Sequence, residues 1–125
     1  MKKVAVHNET RSLKAPVVAN YCDSFFSRLR GFTFRDEIPQ GEGLLLVQPR
    51  DSRLDAAIHM LMVFTDLAVV WINDAGEVVD TCLARSWALA YMPKYPARYV
   101  LEMSPSRLDE FCVGDHIRFE EVWLD

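Results

Sequence analysis

The sequence predicts a mainly β fold of the α+β class: one curled or barrel-like, mostly antiparallel sheet of about seven or eight strands, with two short helices. Two observations support this prediction. Short apolar runs rich in β-branched residues recur along the 125 residues, and turn-forming residues separate them at short intervals. Because no amphipathic stretch long enough for a crossover helix lies between these runs, a doubly wound Rossmann-type sheet is not expected.

Eight segments have the composition of strands. The two most apolar, residues 58–64 and 67–72, show no polar stripe, so we expect neighbouring central strands that are buried on both faces. Residues 73–76 supply hairpin turn chemistry, and residues 78–83 return as the partner strand. The other strands are predicted over residues 3–7, 16–21, 44–47, 99–103 and 116–123. Pro49 is expected to end the strand over residues 44–47.

Two short helices interrupt the strands. Asp23 or Ser24 can cap the first helix, and Gly31 ends it. Ser104 followed by Pro105 has the form of an N-cap with proline at the first helical position, which predicts the second helix. The predicted inward faces hold Phe25, Phe26 and Leu29 in the first helix, and Leu108 and Phe111 in the second.

Residues 1–125 are expected to form a single soluble domain, since no repeat, low-complexity tract or linker divides them. Eighteen acidic residues against 14 basic ones give a net charge of −4 with no basic stripe, which argues against a nucleic-acid partner. The longest apolar stretch contains His59 and Asp66 and falls short of a membrane span, so no membrane partner is expected.

Cysteine usage points to a reducing compartment. Cys22, Cys82 and Cys112 are an odd number with wide spacing, and no C-x-x-C motif is present. Lys2 and Lys3 are followed by too short an apolar run for a signal peptide. We therefore expect free thiols and a cytoplasmic location.

An ordered set of short motifs over residues 23–119 resembles the domain-of-unknown-function family 192. The motifs are Ser27-Arg28-Leu29-Arg30-Gly31, Gly41-Glu42-Gly43-Leu44-Leu45-Leu46, Ile58-His59-Met60, Ala68-Val69-Val70-Trp71-Ile72, Asp74-Ala75-Gly76-Glu77-Val78-Val79, Pro96-Ala97-Arg98-Tyr99-Val100-Leu101-Glu102 and Val113-Gly114-Asp115. The sequence departs from the usual family pattern at Phe32, after His59 and at Ser104-Pro105. The resemblance implies a small β-rich domain and brings no established activity, cofactor or partner.

Three side chains are candidate catalytic groups. His59 stands in an apolar run, where it could act as a general base held by Asp66 or Glu102. Its apolar neighbours favour instead an inaccessible core histidine with one satisfying hydrogen bond. Asp66 could simply end a turn, and Glu102 could face solvent or the mouth of a pocket.

A second group of residues could bind a ligand. Trp87, Tyr91 and Tyr95 lie in a long loop over residues 84–97, where they could stack on a flat ligand or cover one end of the core. Arg28 and Arg30 could bind an anion, but helical spacing puts them on different faces, which favours solvated charges.

Metal and nucleophile sites are not predicted. The candidate ligands lack short spacings such as H-x-x-x-H or C-x-x-C, and no G-x-S-x-G motif is present. Cys22 before the first helix could have a lowered pKa, but a small apolar filler is the commoner role. No cofactor is predicted.

The sequence therefore leaves three functions open. The leading interpretation is an accessory module that binds a small ligand or a protein partner near His59, Glu102 and the loop over residues 84–97. The second is a hydrolase-type enzyme that uses His59 with Asp66 or Glu102. The third is a protein-interaction subunit whose exposed aromatic residues form the interface.

Overall fold

The computed structural model describes residues 2–122, without the side chains of residues 25, 26 and 29. The strands are β1 (Lys3–Asn8), β2 (Val17–Cys22), β3 (Glu42–Ser52), β4 (Leu67–Ile72), β5 (Val78–Ala84), β6 (Ala97–Met103) and β7 (Ile117–Val122). The helical segments are α1 (Phe25–Arg30) and a 3₁₀ helix (Pro105–Glu110). The prediction of a mainly β fold with short helical segments is confirmed.

The seven described strands form one mixed sheet in the order β5-β4-β6-β3-β2-β1-β7. Neighbouring strands pair antiparallel except β2 and β3, which run parallel and are connected through α1. Across residues 2–122 the sheet does not close, but its edges approach each other: Glu77 forms a bridge with His116, and the Ile117 amide donates to the Gly76 carbonyl at 2.7 Å. The sheet is therefore strongly curled.

Each face of the sheet carries its own apolar core. Alternate residues of the strands divide between the faces, so that Leu45, Val70 and Leu101 belong to one core while Leu46 and Val69 belong to the other. The first core lies against the 3₁₀ helix and Phe111. The second lies beneath the loops that follow α1, β3 and β5, and the candidate site is on this side.

The helix boundaries follow the predicted capping residues. Ser24 is the N-cap of α1, its hydroxyl accepts a hydrogen bond from the Ser27 amide, and Gly31 ends the helix with a φ of +47°. The 3₁₀ helix begins after Ser104, and Phe111 is buried at its end while Leu108 is half-buried. The predicted inward face of Phe25, Phe26 and Leu29 lies outside the described side chains, as does Trp123 of the last predicted strand.

Two strand predictions need correction. Leu67–Ile72 is a central strand with all six residues buried, as expected, but residues 58–64 are not a strand. They form a turn in which the Val63 amide donates to the Met60 carbonyl, because apolar composition alone does not distinguish a strand from a buried loop. Pro49 does not end β3, which continues to Ser52 through an irregular register that tolerates a residue without an amide hydrogen.

Two buried charged residues, one in the 3₁₀ helix and one just before β7, hold neighbouring chain segments together. Arg107 is 2% exposed, forms an ion pair with Glu110, and donates hydrogen bonds to the carbonyl groups of Gln40 and Ala15, both at 2.6 Å. Asp115 is also 2% exposed. It accepts hydrogen bonds from Arg11 Nε at 2.8 Å, from Asn8 Nδ2 at 2.9 Å and from the Cys112 amide at 2.9 Å.

Candidate functional site

Glu102 is a carboxyl group buried in the middle of the sheet. It lies on β6, where its neighbours across the two flanking strands are Leu44 on β3 and Val69 on β4. The residue is only 4% exposed, and its Oε1 atom has no hydrogen-bond partner among the described residues. Desolvation by this apolar setting raises the pKa of Glu102 to about 7, so the carboxyl group exchanges its proton near neutral pH.

Gly31 makes room for this carboxyl group. A Cβ atom at residue 31 would stand 3.3 Å from Glu102 Oε1, which is closer than most side chains pack. The positive φ of +47° also favours glycine at this position. The residue that ends α1 therefore brings its backbone close to the buried carboxyl group.

A cavity of about 290 Å³ opens beside Glu102 and Gly31. Its apolar wall is formed by Phe32, Leu46, Ile58, Val63 and Leu67. Its polar lining residues are Arg28, Arg30, Thr33, Gln48, Asp55, His59 and Glu102. An apolar pocket with a few convergent polar groups and a titrating carboxyl group is the usual form of a small-molecule site.

The two arginines of the cavity have no acidic partner among the described residues. Arg28 is half-buried, and its Nη1 atom donates to the Asp23 carbonyl at 2.5 Å and to the Val47 carbonyl at 3.1 Å. Arg30 is exposed. The carbonyl contacts hold Arg28 in place without neutralising its charge.

The structure brings four of the eight predicted site residues to one cavity: His59, Glu102, Arg28 and Arg30. Asp66 lies elsewhere, where its carboxylate accepts hydrogen bonds from the Ser86 amide at 2.9 Å and from Arg85 at 3.3 Å. Asp66 therefore fixes the loop after β5.

His59 does not occupy the inaccessible core position that its apolar neighbours favour. It is half-buried and lines the cavity. Because residues 58–64 form a loop, His59 does not belong to a strand with two covered faces. Ile58 and Met60 are buried on either side of it, which explains why the sequence pattern resembles a core strand.

The aromatic residues of the loop over residues 84–97 do not line this cavity. Tyr91 forms an isolated antiparallel β-bridge with Ile58, and its hydroxyl accepts a hydrogen bond from the Arg85 amide at 2.9 Å. Trp87 packs against Phe64 with 5.6 Å between ring centroids. Tyr95 is 62% exposed. The loop covers the core beside the cavity, with Tyr91 packed against that core.

Three of the lining residues that sequence reasoning missed are Gly31, Gln48 and Asp55. Gly31 was interpreted only as a helix end, although a glycine at that point also allows a close approach of backbone to a side chain. Gln48 follows the apolar run of β3 and is 5% exposed, and a buried amide in such a run is itself a signal of a site. Asp55 lies in a loop and gave no signal.

The three cysteines are free thiols, and two of them, Cys22 and Cys82, do not have the properties of nucleophiles. Burial raises the pKa of Cys82 to about 11 and also raises the pKa of Cys22, so neither is a ready thiolate. Cys22 is buried, which supports the filler role over the lowered pKa considered from the sequence.

Within residues 2–122, no group of three or more His, Cys, Asp or Glu side chains is arranged to hold a metal ion. None of the described helices is long and apolar enough to cross a membrane.

Solved structures with the same fold are known at low sequence identity. A crystal structure from Sinorhizobium meliloti 1021, named only as a candidate transcription regulator, superposes with a TM-score of 0.80 at 15% identity and covers 94% of this chain and 92% of that one. A protein of unknown function from Novosphingobium aromaticivorans has a TM-score of 0.75 at 18% identity, over 93% of this chain and 83% of that one. At these identities the similarity concerns the fold alone.

Archaeal relatives are similar in sequence. A UPF0127 protein from Thermococcus gammatolerans is 36% identical over 95 residues, which are 76% of this chain, and the match spans only 60% of that protein. The UPF0127 protein PF1050 from Pyrococcus furiosus is 32% identical over 117 residues, or 92% of this chain and 97% of that protein. The profile of DUF192, described as an uncharacterized ACR family, matches residues 5–119, a longer region than the motifs alone indicated. The chain therefore belongs to the DUF192 family.

Proposed function

We propose that this chain is a binding module whose cavity holds a small ligand, with a hydrogen-bond donor of the ligand seated on Glu102. The observation that carries the proposal is the Oε1 atom of Glu102, which is buried and has no hydrogen-bond partner among the described residues. Buried polar atoms in folded proteins are rarely left in this state, and each one calls for an explanation such as a bound group or a functional role. A donor group on a ligand would supply the absent hydrogen bond.

The energetic argument favours a ligand over a purely structural role. An unsatisfied buried polar group costs roughly 1–3 kcal/mol, and more when it is charged. If this position served only the core, an apolar residue in place of Glu102, beside Leu44 and Val69, would avoid that cost. The cavity next to Glu102 provides the space in which a ligand can offset the cost instead.

A hydrolase remains the second candidate, because His59 and Glu102 line the same cavity. A carboxyl group with a pKa of about 7 is suited to general acid–base chemistry near neutral pH. Asp66 is not available to this site, since it bonds to Ser86 and Arg85. Of the two acids considered with His59, this mechanism would use Glu102.

We also propose a single domain and a cytoplasmic location. One continuous sheet uses all seven described strands, which supports the single domain. The three free thiols support a reducing compartment. The net charge of −4 argues against nucleic acid as the partner, since phosphate contacts depend on clustered basic residues.

Binding can be tested by amide chemical-shift mapping with three fragments that carry one donor group on the same alkyl body: n-butanol, butyramide and n-butylamine. We expect at least one fragment to shift the amide resonances of Gly31, Phe32 and Glu102 at millimolar concentration. The substitution Glu102→Leu should abolish those shifts, and Asp66→Asn, outside the cavity, should preserve them. Unmoved resonances with all three fragments, or unchanged binding by Glu102→Leu, would contradict the proposal.

A further inference from the structure

We propose that the ligand of this cavity is a small zwitterion, with its ammonium group on Glu102, an apolar body along the cavity wall and its carboxylate at Arg28 and Arg30. This inference rests on the proposed binding function and names the ligand class. It follows from three properties of the cavity: an unpaired acid on the sheet, an apolar wall, and two unpaired arginines on the other lining elements.

Among the described residues, the acid has no positive partner. Glu102 forms no ion pair with a described residue, whereas carboxylates elsewhere in the structure, such as Asp115 and Glu110, are paired with arginines. Its neighbours across the sheet are the aliphatic side chains of Leu44 and Val69. An ammonium group would provide both the counter-charge and the hydrogen-bond donor for Oε1.

The wall of the cavity selects an apolar body. Phe32, Leu46, Ile58 and Val63 present carbon atoms and are themselves buried members of the core. Methylene groups or a small ring that lie against this wall leave water, and the burial of their apolar surface favours binding. A compact ion without such a body would lose this contribution.

The arginines select an anion at the opposite end of the ligand. Guanidinium groups bind carboxylates with two parallel hydrogen bonds. Nη1 of Arg28 is used by two carbonyl groups, and its Nη2 and Nε atoms donate to no described residue. Arg28 is thus already oriented and retains donors for a ligand. Arg30 is exposed and can add a second positive charge.

The combination disfavours ligands with a single charge. A simple amine leaves the two arginines without an anion, and a simple carboxylate leaves Glu102 without a donor. Asp55 and His59 also line the cavity, so its polar lining is not uniformly positive. A zwitterion satisfies Glu102 and the arginines together.

The test compares 6-aminohexanoate with hexylamine and hexanoate, which share its chain length and carry one charge each, by calorimetric or chemical-shift titration at pH 7.5. Glycine and 4-aminobutanoate probe shorter separations of the charges. We expect one zwitterion to bind at least about tenfold more tightly than either singly charged partner, since hydrogen bonds to charged groups are stronger than those between neutral groups.

Variants assign the two ends. Glu102→Gln should reduce the preference for 6-aminohexanoate over hexanoate at least fivefold, and Arg28→Gln should reduce its preference over hexylamine to a similar extent. If Arg28→Gln lowers the folded fraction, Arg30→Gln at an exposed position provides the same test. Arg118→Gln on β7, outside the cavity, should change neither preference.

The outcomes separate the two proposals. If hexylamine, n-butanol or butyramide binds as tightly as every zwitterion, the zwitterion inference is wrong while the binding function stands. If a zwitterion binds with unchanged affinity to both Glu102→Gln and Arg28→Gln, the assignment of its two ends is wrong. If none of these compounds shifts the resonances of the cavity, both proposals fail.

Discussion

The Oε1 atom of Glu102 and the backbone of Gly31 are so close that a Cβ atom on residue 31 would lie only 3.3 Å from that oxygen. This contact joins the central strand β6 to the end of α1. The buried acid lies against a glycine, which has no side chain to fill the space beside it. A single methyl group added at residue 31 is therefore a sensitive probe of the site.

Gly31→Ala should destabilise the protein and disturb the cavity. The positive φ of +47° costs an L-residue roughly 1–2 kcal/mol, and the new methyl group must also displace the carboxyl group of Glu102. We expect a loss of at least about 2 kcal/mol in the free energy of urea unfolding, together with loss of fragment binding.

Two other glycines separate these causes. Gly114 has a φ of +95° with nothing within 4 Å of its added Cβ atom, so Gly114→Ala reports backbone strain alone. At Gly41 no positive φ is present, and the nearest atom, the Pro16 carbonyl oxygen, would lie 3.7 Å away, so Gly41→Ala should be nearly neutral. Equal ligand affinity of Gly31→Ala and Gly114→Ala would show that the Glu102 contact does not matter for the site.

Glu102 should make stability depend on pH above its unfolded pKa. Its pKa in the folded protein is about 7 against 4.5 for the free group, so the folded state binds the proton more tightly and stability falls as pH rises from about 4.5 through 7. The shift corresponds to a loss of about 3 kcal/mol, on the order expected for a fully buried group.

The variant Glu102→Gln isolates this effect. The stability of wild type relative to Glu102→Gln, from urea unfolding at pH 5, 6, 7 and 8, should fall over this range and level off above pH 8. A constant difference would show that Glu102 does not titrate in this window. Addition of a ligand that supplies an ammonium group should reduce the fall, because it stabilises the ionised carboxylate.

Much of the fold could be predicted because local signals and tertiary structure agree. Ser24 and Gly31 mark the ends of α1, and residues 67–72 are so uniformly apolar that only a central strand suits them. The prediction of a strand over residues 58–64 was wrong because the apolar residues of this segment serve two purposes. Met60 and Val63 fill the core while Leu61, Met62 and Phe64 are partly exposed, and composition does not record that division.

The site could be predicted only in part. Glu102 and His59 stood out because polar groups in apolar runs need an explanation. Their meeting with Arg28 and Arg30 depends on where the loops after α1 and β3 fold over the sheet, which no local pattern encodes. Residue type alone suggests Asp66, Trp87 and Tyr91 as site residues, whereas in the tertiary structure their contacts lie within and around the loop after β5.

Val69→Asp should unfold the domain or destabilise it by several kcal/mol. Val69 is fully buried on β4 and pairs with Glu102 on the neighbouring strand β6. The new carboxylate would therefore be both desolvated and next to a second acid. Circular dichroism during thermal unfolding gives the measurement. Val113→Asp, at a position 63% exposed, serves as the control, and equal melting temperatures of the two variants would contradict the assignment of β4 to the core.

The cysteines should differ in reactivity towards iodoacetamide at pH 8. Cys112 is exposed, whereas burial protects Cys22 and raises the pKa of Cys82 to about 11. Mass spectrometry should therefore find Cys112 alkylated first in the native protein, and all three cysteines alkylated in denaturant without reductant. A disulfide in the denatured sample would argue against the cytoplasmic location.

Asp115 should contribute stability that is lost in acid. Burial alone would raise its pKa, but hydrogen bonds from Arg11, Asn8 and the Cys112 amide outweigh burial and lower the pKa to about 2. The folded state therefore favours the ionised form, so its contribution is present above about pH 4 and disappears as pH falls through 2. Asp115→Asn should cost about 2 kcal/mol or more at pH 7, because charged hydrogen bonds are lost at a buried position, and the cost should shrink at pH 2.5.

The matched control for this prediction is Asp109→Asn. Asp109 also pairs with a cation, Lys14 at 3.0 Å, but its side chain is 68% exposed, so the pair contributes little. Urea unfolding of both variants at pH 7 and pH 2.5 gives four free-energy differences. Only Asp115→Asn should show a large one, and only at pH 7. Equal costs at the two pH values would mean that Asp115 acts through packing rather than charge, because a packing contribution does not depend on ionisation.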